Sequence, residues 1–590
     1  MPRAIPKGLK AAIGPWVSQS MRLLVRRGLL PLLARASAAT ASPALSASGR
    51  RFCILHLDGV SRQSLVRAID EGQMPFLARL LSTKAYRLSN AWSGAPASTP
   101  AFQAGLLYGA QAADIPSFVW FDRGSRREVR MDRATDAARV ESQLRENGGA
   151  LLEHGSAAFS IFPGGARRNA MTRSSWGMPG ELSFVDPALR HDHWQLGAAT
   201  TAHALTAARI VRRLFSETLP AVGEVVSWSR KIGRVQHEPT FLMNKMALCV
   251  GAREAATWGT VLDMARGVPA LYSCFSDYDE IAHRRQPDAG SAFEALRGID
   301  WSLEHIFAAA DALPERRYDL YVLSDHGQVI TEPFEAITGV GLLDYIALAE
   351  PGPDDGSGAR VPFLDGSAVR QVQRLRAIER AASNVLPEST RQQVHRGVLA
   401  IARALRSSTS GDGRGEALEE IEKLEDIECI EAGDLAHLYL GKGSTPLACG
   451  EIERRYPNLL RLLVQTPAIG VVAAREGTSG VAFWQRRRFD LSDAADCQAL
   501  DLGYGGAMTR EFLLKMLSLP SAGDLVVYGN GANCGLHRHV AFSWEFGSHA
   551  GIGQEEVETF VIHPSGVTFD FGRAHHSAEL HRFFCETYER

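Results

Sequence analysis

The chain has 590 residues, of which 45% are hydrophobic and 22% charged, and its formal net charge is -2. This length predicts several domain-sized units rather than one simple core, and the balanced charge argues against a general binder of nucleic-acid polymers, which would carry a basic surplus. The eight cysteines show no CxxC spacing, a pattern of reduced thiols that does not support a disulfide framework or a zinc ribbon.

The amino-terminal segment differs in charge from the rest of the chain. Residues 1–57 contain no acidic residue, whereas Arg and Lys recur among apolar side chains. The longest apolar stretch, residues 28–34, is far shorter than the ~20 residues that span a bilayer, and the arginines argue against a cleaved secretory signal. Two interpretations stay open: residues 1–35 contact an anionic membrane peripherally, or they form a disordered leader. We expect the protein to be cytoplasmic, and to be peripherally bound to a membrane if residues 1–35 contact one. Export from the cell is the alternative that stays open.

Apolar runs that alternate with helical patterns predict the fold. Phe52–Leu57, Ala270–Phe275 and Tyr318–Leu323 are short hydrophobic strands, each followed by a turn and then, for the first two, a helical pattern. This alternation predicts an α/β fold in which a mostly parallel sheet lies between helices. In such sheets, functional groups collect at the carboxyl ends of the strands.

Composition shifts divide the chain into an interrupted core and two insertions. A stretch without clear strand-helix alternation predicts a cap insertion, and a charge-rich helical stretch predicts a second insertion. The predicted divisions are a basic leader with an Ala/Ser linker at 1–50, core parts at 51–125, 265–345 and 433–590, the cap at 126–264, and the helical insertion at 346–432. Within the second core part, Asp300 and Glu304 are predicted to lie on a solvated helix face.

Carboxylates and imidazoles stand at four predicted strand ends or turns: Asp58, Asp279 with His283, Asp325 with His326, and His549. A single strand-end Asp is more often a turn or helix cap, and a single His is more often structural. The remaining histidines of note, His56, His437, His537 and His539, are therefore predicted to be structural. Four such ends in one α/β chain favour a metal site. Mixed oxygen and nitrogen ligands suit zinc or manganese, and six ligands suit two neighbouring ions of the kind that assist phosphoryl displacement.

The order of these motifs resembles that of a known family. Asp58-Gly59, Ser98-Thr99-Pro100, Asp279-Glu-Ile-Ala-His283, Ser324-Asp-His-Gly327 and Gly547-Ser-His-Ala-Gly551 are similar to the motifs of the alkaline phosphatase superfamily. More narrowly, they resemble its type I phosphodiesterase / nucleotide pyrophosphatase branch. The likeness covers residues 51–125, 265–340 and 520–590, and neither insertion.

The resemblance implies an alkaline-phosphatase-like core with two divalent metal ions, zinc or alternatively manganese. One ion would be held by Asp58, Thr99, Asp325 and His326, and the other by Asp279, His283 and His549. Asp277 competes with Asp279, but the four-residue step from Asp279 to His283 matches the family. Thr99 would be the nucleophile in the hydrolysis of a phosphodiester or phosphoanhydride, through a phospho- or nucleotidyl-threonine. The implied substrate is a small phosphate ester or a nucleotide.

Two positions depart from the family pattern. Phe118 stands where diesterases of this branch often carry an Asn that binds a phosphate oxygen, and Ala550 stands where a second Gly is common after the histidine. Two alternatives also remain open. One is a phosphomonoesterase on the same core, and the other is a catalytically silent, membrane-peripheral scaffold. Substrate identity and oligomeric state are not predicted.

Overall fold

The computed structural model describes residues 49–111, 113–176, 193–232, 238–348, 427–441, 443–529 and 539–589, with a few isolated positions between 371 and 401. Residues 1–48 of the predicted leader and linker, and most of the predicted helical insertion, lie outside these residues. Among the helices that are described, none is long and apolar enough to cross a membrane.

The central sheet is built around the strand Arg51–Leu57, which is buried along its whole length. It pairs in parallel with Ala270–Phe275 on one side and with Tyr318–Leu323 on the other. Because successive side chains of a strand point to opposite faces, alternate residues of this strand enter two different hydrophobic cores. From edge to edge, the described strands of this sheet are Tyr86–Trp92, Glu558–Pro564, Tyr318–Leu323, Arg51–Leu57, Ala270–Phe275, Ser156–Ala158 and Arg168–Ala170. The predicted fold class is confirmed.

One edge of the central sheet brings a late segment of the chain beside the early ones. Glu558–Pro564 runs antiparallel both to Tyr318–Leu323 and to Tyr86–Trp92. The segment before residue 558 and the segment after residue 92 therefore lie at the same end of the strands as the carboxyl ends of the parallel strands.

Two strands of the central sheet fall inside residues 126–264, the predicted cap insertion. Ser156–Ala158 pairs in parallel with Ala270–Phe275, and Arg168–Ala170 extends the sheet beyond it. These strands have only three residues each, too short to leave a clear alternation in the sequence. These two short strands therefore belong to the central sheet, although they lie inside the range predicted as a cap.

A second sheet occupies much of the range predicted as the last core part. It is antiparallel, in the order Ile427–Ala432, Leu435–Leu440, Leu525–Tyr528, Val471–Glu476, Ser479–Trp484 and Arg487–Asp490. Helices cover both of its faces, which gives it two hydrophobic cores of its own. The apolar runs near residues 435 and 525 pair with each other in this sheet.

Smaller elements complete the described chain. His539–Ala541, Val329–Pro333 and Gly547–Ser548 form a three-stranded sheet, and Val119–Asp122 pairs with Arg127–Arg130. The α-helices are Arg62–Asp70, Pro75–Ser82, Thr99–Tyr108, Ala134–Asn147, His193–Ile232, Glu238–Met246, Arg253–Arg266, Asp277–Arg285, Gly290–Ala312, Phe334–Thr338, Leu342–Leu348, Cys449–Arg455, Pro457–Gln465, Ala494–Ala499, Gly506–Ser518, Gln554–Val557 and Ser577–Tyr588.

Candidate active site

Three neighbouring strands deliver acids and imidazoles to one edge of the central sheet. Asp58 directly follows the strand Arg51–Leu57, and Asp325 and His326 follow Tyr318–Leu323 after one residue. The third strand is Ala270–Phe275, and the helix Asp277–Arg285 follows it. Asp279 and His283 lie four residues apart in this helix. This spacing places both side chains on one face of the helix.

Thr99 is the first residue of the helix Thr99–Tyr108. Its Oγ1 donates a hydrogen bond to Asp58 Oδ1 at 3.2 Å and lies 3.1 Å from His326 Nε2. The hydroxyl of the adjacent Ser98 is buried and has no hydrogen-bond partner among the described residues. Of the two neighbouring hydroxyls, Thr99 is therefore the one that contacts the acids and imidazoles.

Asp325 lies between several donors at the end of its strand. Its Oδ1 accepts hydrogen bonds from the backbone N–H groups of Gly59 and His326, at 3.3 and 2.9 Å. Its Oδ2 lies 3.3 Å from His326 Nε2, which is in turn 3.7 Å from Asp58 Oδ1. Asp58, Thr99, Asp325 and His326 thus form one compact group.

A second group forms around Asp279. The Nε2 atom of His283 lies 3.3 Å from Asp279 Oδ2, and that of His549 lies 4.0 Å from Asp279 Oδ1. The Nδ1 atoms of both histidines lie 2.9 Å from backbone carbonyls, those of Gly547 and Ala97 respectively. Because these carbonyls accept a hydrogen bond from Nδ1–H, the Nε2 atom of each ring can bind a metal ion. Metal-binding histidines usually donate their other ring N–H to a carbonyl or carboxylate in this way.

The two groups touch each other. The ring of His549 stacks on that of His326, with 3.7 Å between centroids, so all seven predicted site residues come together. Asp277 does not join them, because its buried carboxylate pairs with Arg253. Phe118 packs against the apolar cluster beneath the helix that Thr99 begins.

Three residues that were not predicted to belong to the site contact the predicted ligands. His56 Nε2 lies 2.9 Å from Asp325 Oδ1, Glu545 Oε2 lies 3.2 Å from His283 Nδ1, and Gln328 donates to the Asp279 carboxylate. Only His56 left a usable signal in the sequence. It stands two residues before Asp58 in the strand that leads to it, a spacing that places both on one face.

Burial and mutual charge shift the pKa values of these groups apart. Burial and the charges of Asp325 and Asp279 raise the pKa of Asp58 well above its usual range. Burial would also raise the pKa of Asp325, but the neighbouring imidazoles of His326 and His56 hold it far below that range. Burial and the facing His326 lower the pKa of His549 to about 3. Close carboxylates and imidazoles with divergent pKa values are typical of functional sites.

The donor set fits divalent metal ions. Asp325 Oδ2 is buried without a hydrogen-bond partner among the described residues. One ligand atom from each of Asp279, His326 and His549 lies within 4.8 Å of the others, and the same holds for His56, Asp58 and Asp325. Carboxylate oxygens and imidazole nitrogens in this arrangement are ligands that zinc and manganese accept.

Comparison with known families decides the class of protein. The model of the type I phosphodiesterase / nucleotide pyrophosphatase family matches residues 52–427. The chain belongs to this family. As a type I phosphodiesterase / nucleotide pyrophosphatase it is a hydrolase, and the family is typically metal-dependent. Six of the seven predicted site residues lie inside the matched range, and His549 lies beyond it.

Solved structures of two other proteins align along most of the chain. Murine ectonucleotide pyrophosphatase / phosphodiesterase 5, solved as an inactive variant in complex with AMP, is 10% identical with a TM-score of 0.40; the alignment covers 92% of this chain and 95% of that one. Phosphonoacetate hydrolase from Sinorhizobium meliloti 1021, in complex with phosphonoformate, is 15% identical with a TM-score of 0.41, covering 92% and 96%. No curated protein matches the chain in sequence.

Proposed function

We propose that the protein cleaves a phosphodiester or phosphoanhydride through a covalent intermediate on Thr99, at a site that holds two divalent metal ions. One observation carries this proposal. The Thr99 hydroxyl lies 3.2 Å from Asp58 Oδ1 and 3.1 Å from His326 Nε2, at the point where the predicted ligands meet.

The proposed ligand sets follow the two groups of contacts. Asp58, Thr99, Asp325 and His326 would hold one ion, and Asp279, His283 and His549 the other. When bound, the ions supply Lewis acidity, which makes a nearly inert hydroxyl reactive and neutralises charge on phosphate oxygens. Zinc is the favoured ion and manganese the alternative, because both accept mixed carboxylate and imidazole ligands.

The chemistry assigned to Thr99 has two steps. The Thr99 Oγ1 attacks phosphorus, an Oγ1–P bond forms, and the bond from phosphorus to the leaving oxygen breaks; in net terms the proton of the Thr99 hydroxyl ends on the leaving oxygen. Water then attacks the same phosphorus, which breaks the Oγ1–P bond and returns a proton to Thr99. Asp58, which accepts the hydrogen bond of the Thr99 hydroxyl, orients Oγ1 for the first step.

The substrate is proposed to be a small phosphate ester or a nucleotide, on the strength of family membership. Thr99 begins a helix of ten residues, and the amino end of a helix attracts the negative charge of a phosphate group. Threonine rather than serine at this position favours the diesterase reaction over the monoesterase alternative, by resemblance to the family.

Thr99→Ala should lower the turnover of bis-p-nitrophenyl phosphate at least about a thousandfold, because the nucleophile is lost. Thr99→Ser is the matched control: it keeps a hydroxyl and should keep measurable turnover. Comparable activity of wild type and Thr99→Ala would overturn the proposed role. If the wild type hydrolyses p-nitrophenyl phosphate far faster than the bis-ester, the protein is a monoesterase. If the wild type binds no metal and has no activity, it is a catalytically silent scaffold.

We also propose a cytoplasmic location in which residues 1–35 contact anionic membranes, a proposal that rests on their basic and apolar composition. Removing residues 1–48 should abolish sedimentation with phosphatidylserine-containing vesicles at low salt and leave hydrolysis of soluble esters unchanged. Full-length protein that stays in the supernatant under these conditions would contradict the proposal.

A further inference from the structure

We infer that the protein has a third metal site, separate from the candidate active site, in which Asp434, His539 and Glu556 bind one divalent cation. One ligand atom from each of the three residues lies within 4.8 Å of the other two. The proposed hydrolysis does not use any of these side chains, so the site goes beyond the proposed function.

Three separate parts of the fold supply these ligands. Asp434 lies in the turn between the first two strands of the second sheet, Ile427–Ala432 and Leu435–Leu440. His539 begins the short strand His539–Ala541, and Glu556 lies in the helix Gln554–Val557. A cation here would connect the second sheet to the segment that leads back into the central sheet.

The side chain that most requires a ligand is Asp434, which is fully buried. Neither of its carboxylate oxygens has a donor in good hydrogen-bond geometry among the described residues, and the same is true of His539 Nδ1. The Asp434 carboxylate lies against the Glu556 carboxylate and the backbone of Gly551. Burying a carboxylate without a partner is strongly unfavourable, so buried charges are normally paired or bound to a metal. Glu556 is only partly satisfied, by the backbone N–H groups of Gly551 and Gly553 at 2.9 and 2.7 Å.

Gly551 shows that the two carboxylates converge on one point. A Cβ atom built on this glycine would lie 2.6 Å from Asp434 Oδ2 and 2.7 Å from Glu556 Oε1. A side chain at position 551 would therefore occupy the space that the two carboxylates share. Glycine keeps that space open for the oxygens and for what binds between them.

A proton shared between the two acids is the competing explanation, because two adjacent buried carboxylates cannot both stay ionised without a compensating charge. A shared proton gives no role to His539, whose Nδ1 is buried and unpartnered in the described part of the chain. Two carboxylates and one imidazole are instead a ligand set that zinc and manganese accept.

The site would also steady the loop that carries His549, residues 547–553. The backbone N–H of Asp434 donates to the carbonyl of His549 at 3.4 Å, and Glu556 holds Gly551 two residues beyond it. A cation that bridges Asp434 and Glu556 would therefore stabilise the backbone of this loop through its contacts at His549 and Gly551. It would act as a positioning element, without contact with the substrate.

Zinc stoichiometry tests the inference. Metal-free wild type and His539→Gln, each loaded with Zn²⁺ and dialysed, should differ by one bound equivalent in elemental analysis. His437→Gln is the matched control. His437 is also buried, but its ring nitrogens already meet the carbonyl of Pro116 and the N–H of Gly523 at 3.3 and 3.2 Å. This control should bind as much zinc as wild type.

Glu556→Gln provides a second variant that keeps the size of the side chain and should also lose one equivalent. Equal zinc content in wild type and both variants would overturn the third site and favour the shared proton. The difference between proteins is what counts, so the result does not depend on how many ions the candidate active site holds. If the proposed function fails instead, Asp325→Asn keeps its full zinc content while His539→Gln still loses one equivalent.

Discussion

Asp277 and Asp279 lie two residues apart at the start of one helix, and their surroundings separate their roles. The carboxylate of Asp277 pairs with the buried Arg253, which neutralises it. The carboxylate of Asp279 instead faces the imidazoles of His283 and His549, which hold its pKa below its usual range although burial would raise it. The spacing to His283 favoured Asp279 in the sequence, and the contacts give a physical reason for the same choice.

His56 is the residue whose role we expect to matter most among those the sequence passed over. It is fully buried, contacts Asp325 Oδ1 through Nε2 and meets the Tyr272 hydroxyl through Nδ1 at 2.5 Å. His56→Asn should weaken metal binding by about 10- to 100-fold, because residues that orient ligands tune affinity on this scale. Titration of metal-free protein with Zn²⁺ measures the change.

Tyr272→Phe is the control for this prediction. It removes the hydroxyl beside His56 and keeps the imidazole next to Asp325, so metal affinity should change much less. Equal affinity in wild type and His56→Asn would show that His56 has only a packing role.

At the scale of elements, the loop that carries His549 contains one residue in an unfavourable backbone conformation. Ala550 has a φ of 87°, a region that favours glycine because a Cβ atom crowds the backbone there.

Asp300, which was predicted to be solvated, is buried. Its carboxylate accepts hydrogen bonds from the N–H groups of Phe76 and Leu77 at the start of the helix Pro75–Ser82. That prediction was wrong, because a neighbouring helix end covers the face on which Asp300 lies.

Ala550→Gly should raise the free energy of unfolding by about 1 kcal/mol, because the strain of a left-handed alanine exceeds the entropy that glycine adds to the unfolded chain. Denaturant unfolding of the two proteins measures the difference. Ala574 is the control, since its φ of -80° is ordinary for any residue; Ala574→Gly should lower stability. A destabilised Ala550→Gly variant would show that the loop does not store this strain.

At the scale of the whole molecule, buried polar residues join the second sheet to the core. His437, fully buried in the strand Leu435–Leu440, contacts the carbonyl of Pro116 in the amino-terminal part of the core. Arg123 likewise pairs with the buried Asp524 at 3.1 Å. These contacts cross several hundred residues of sequence, so the second sheet and the core depend on each other for stability.

Stability should fall in acid because of His437. Burial lowers the pKa of His437 to about 4 from 6.5, so below pH 6.5 the unfolded chain binds a proton that the folded protein does not. The folded state should thus lose about 3 kcal/mol between pH 7 and pH 4 through this residue. His437→Gln should remove that part of the slope in denaturant unfolding carried out with a chelator. An unchanged slope would contradict the prediction.

The sequence by itself determined the class of fold and the family, and it predicted seven site residues that the fold brings together. Hydrophobic strands followed by Asp or His are local patterns, and the carboxyl ends of parallel strands necessarily meet at one edge of a sheet. Tertiary structure alone decided which side chains from separate parts of the chain lie next to each other. Asp434, His539 and Glu556 are far apart in the chain and follow no common pattern, and the three-residue strands near residue 156 are too short to show one. Such features depend on long-range packing, which residue order does not display.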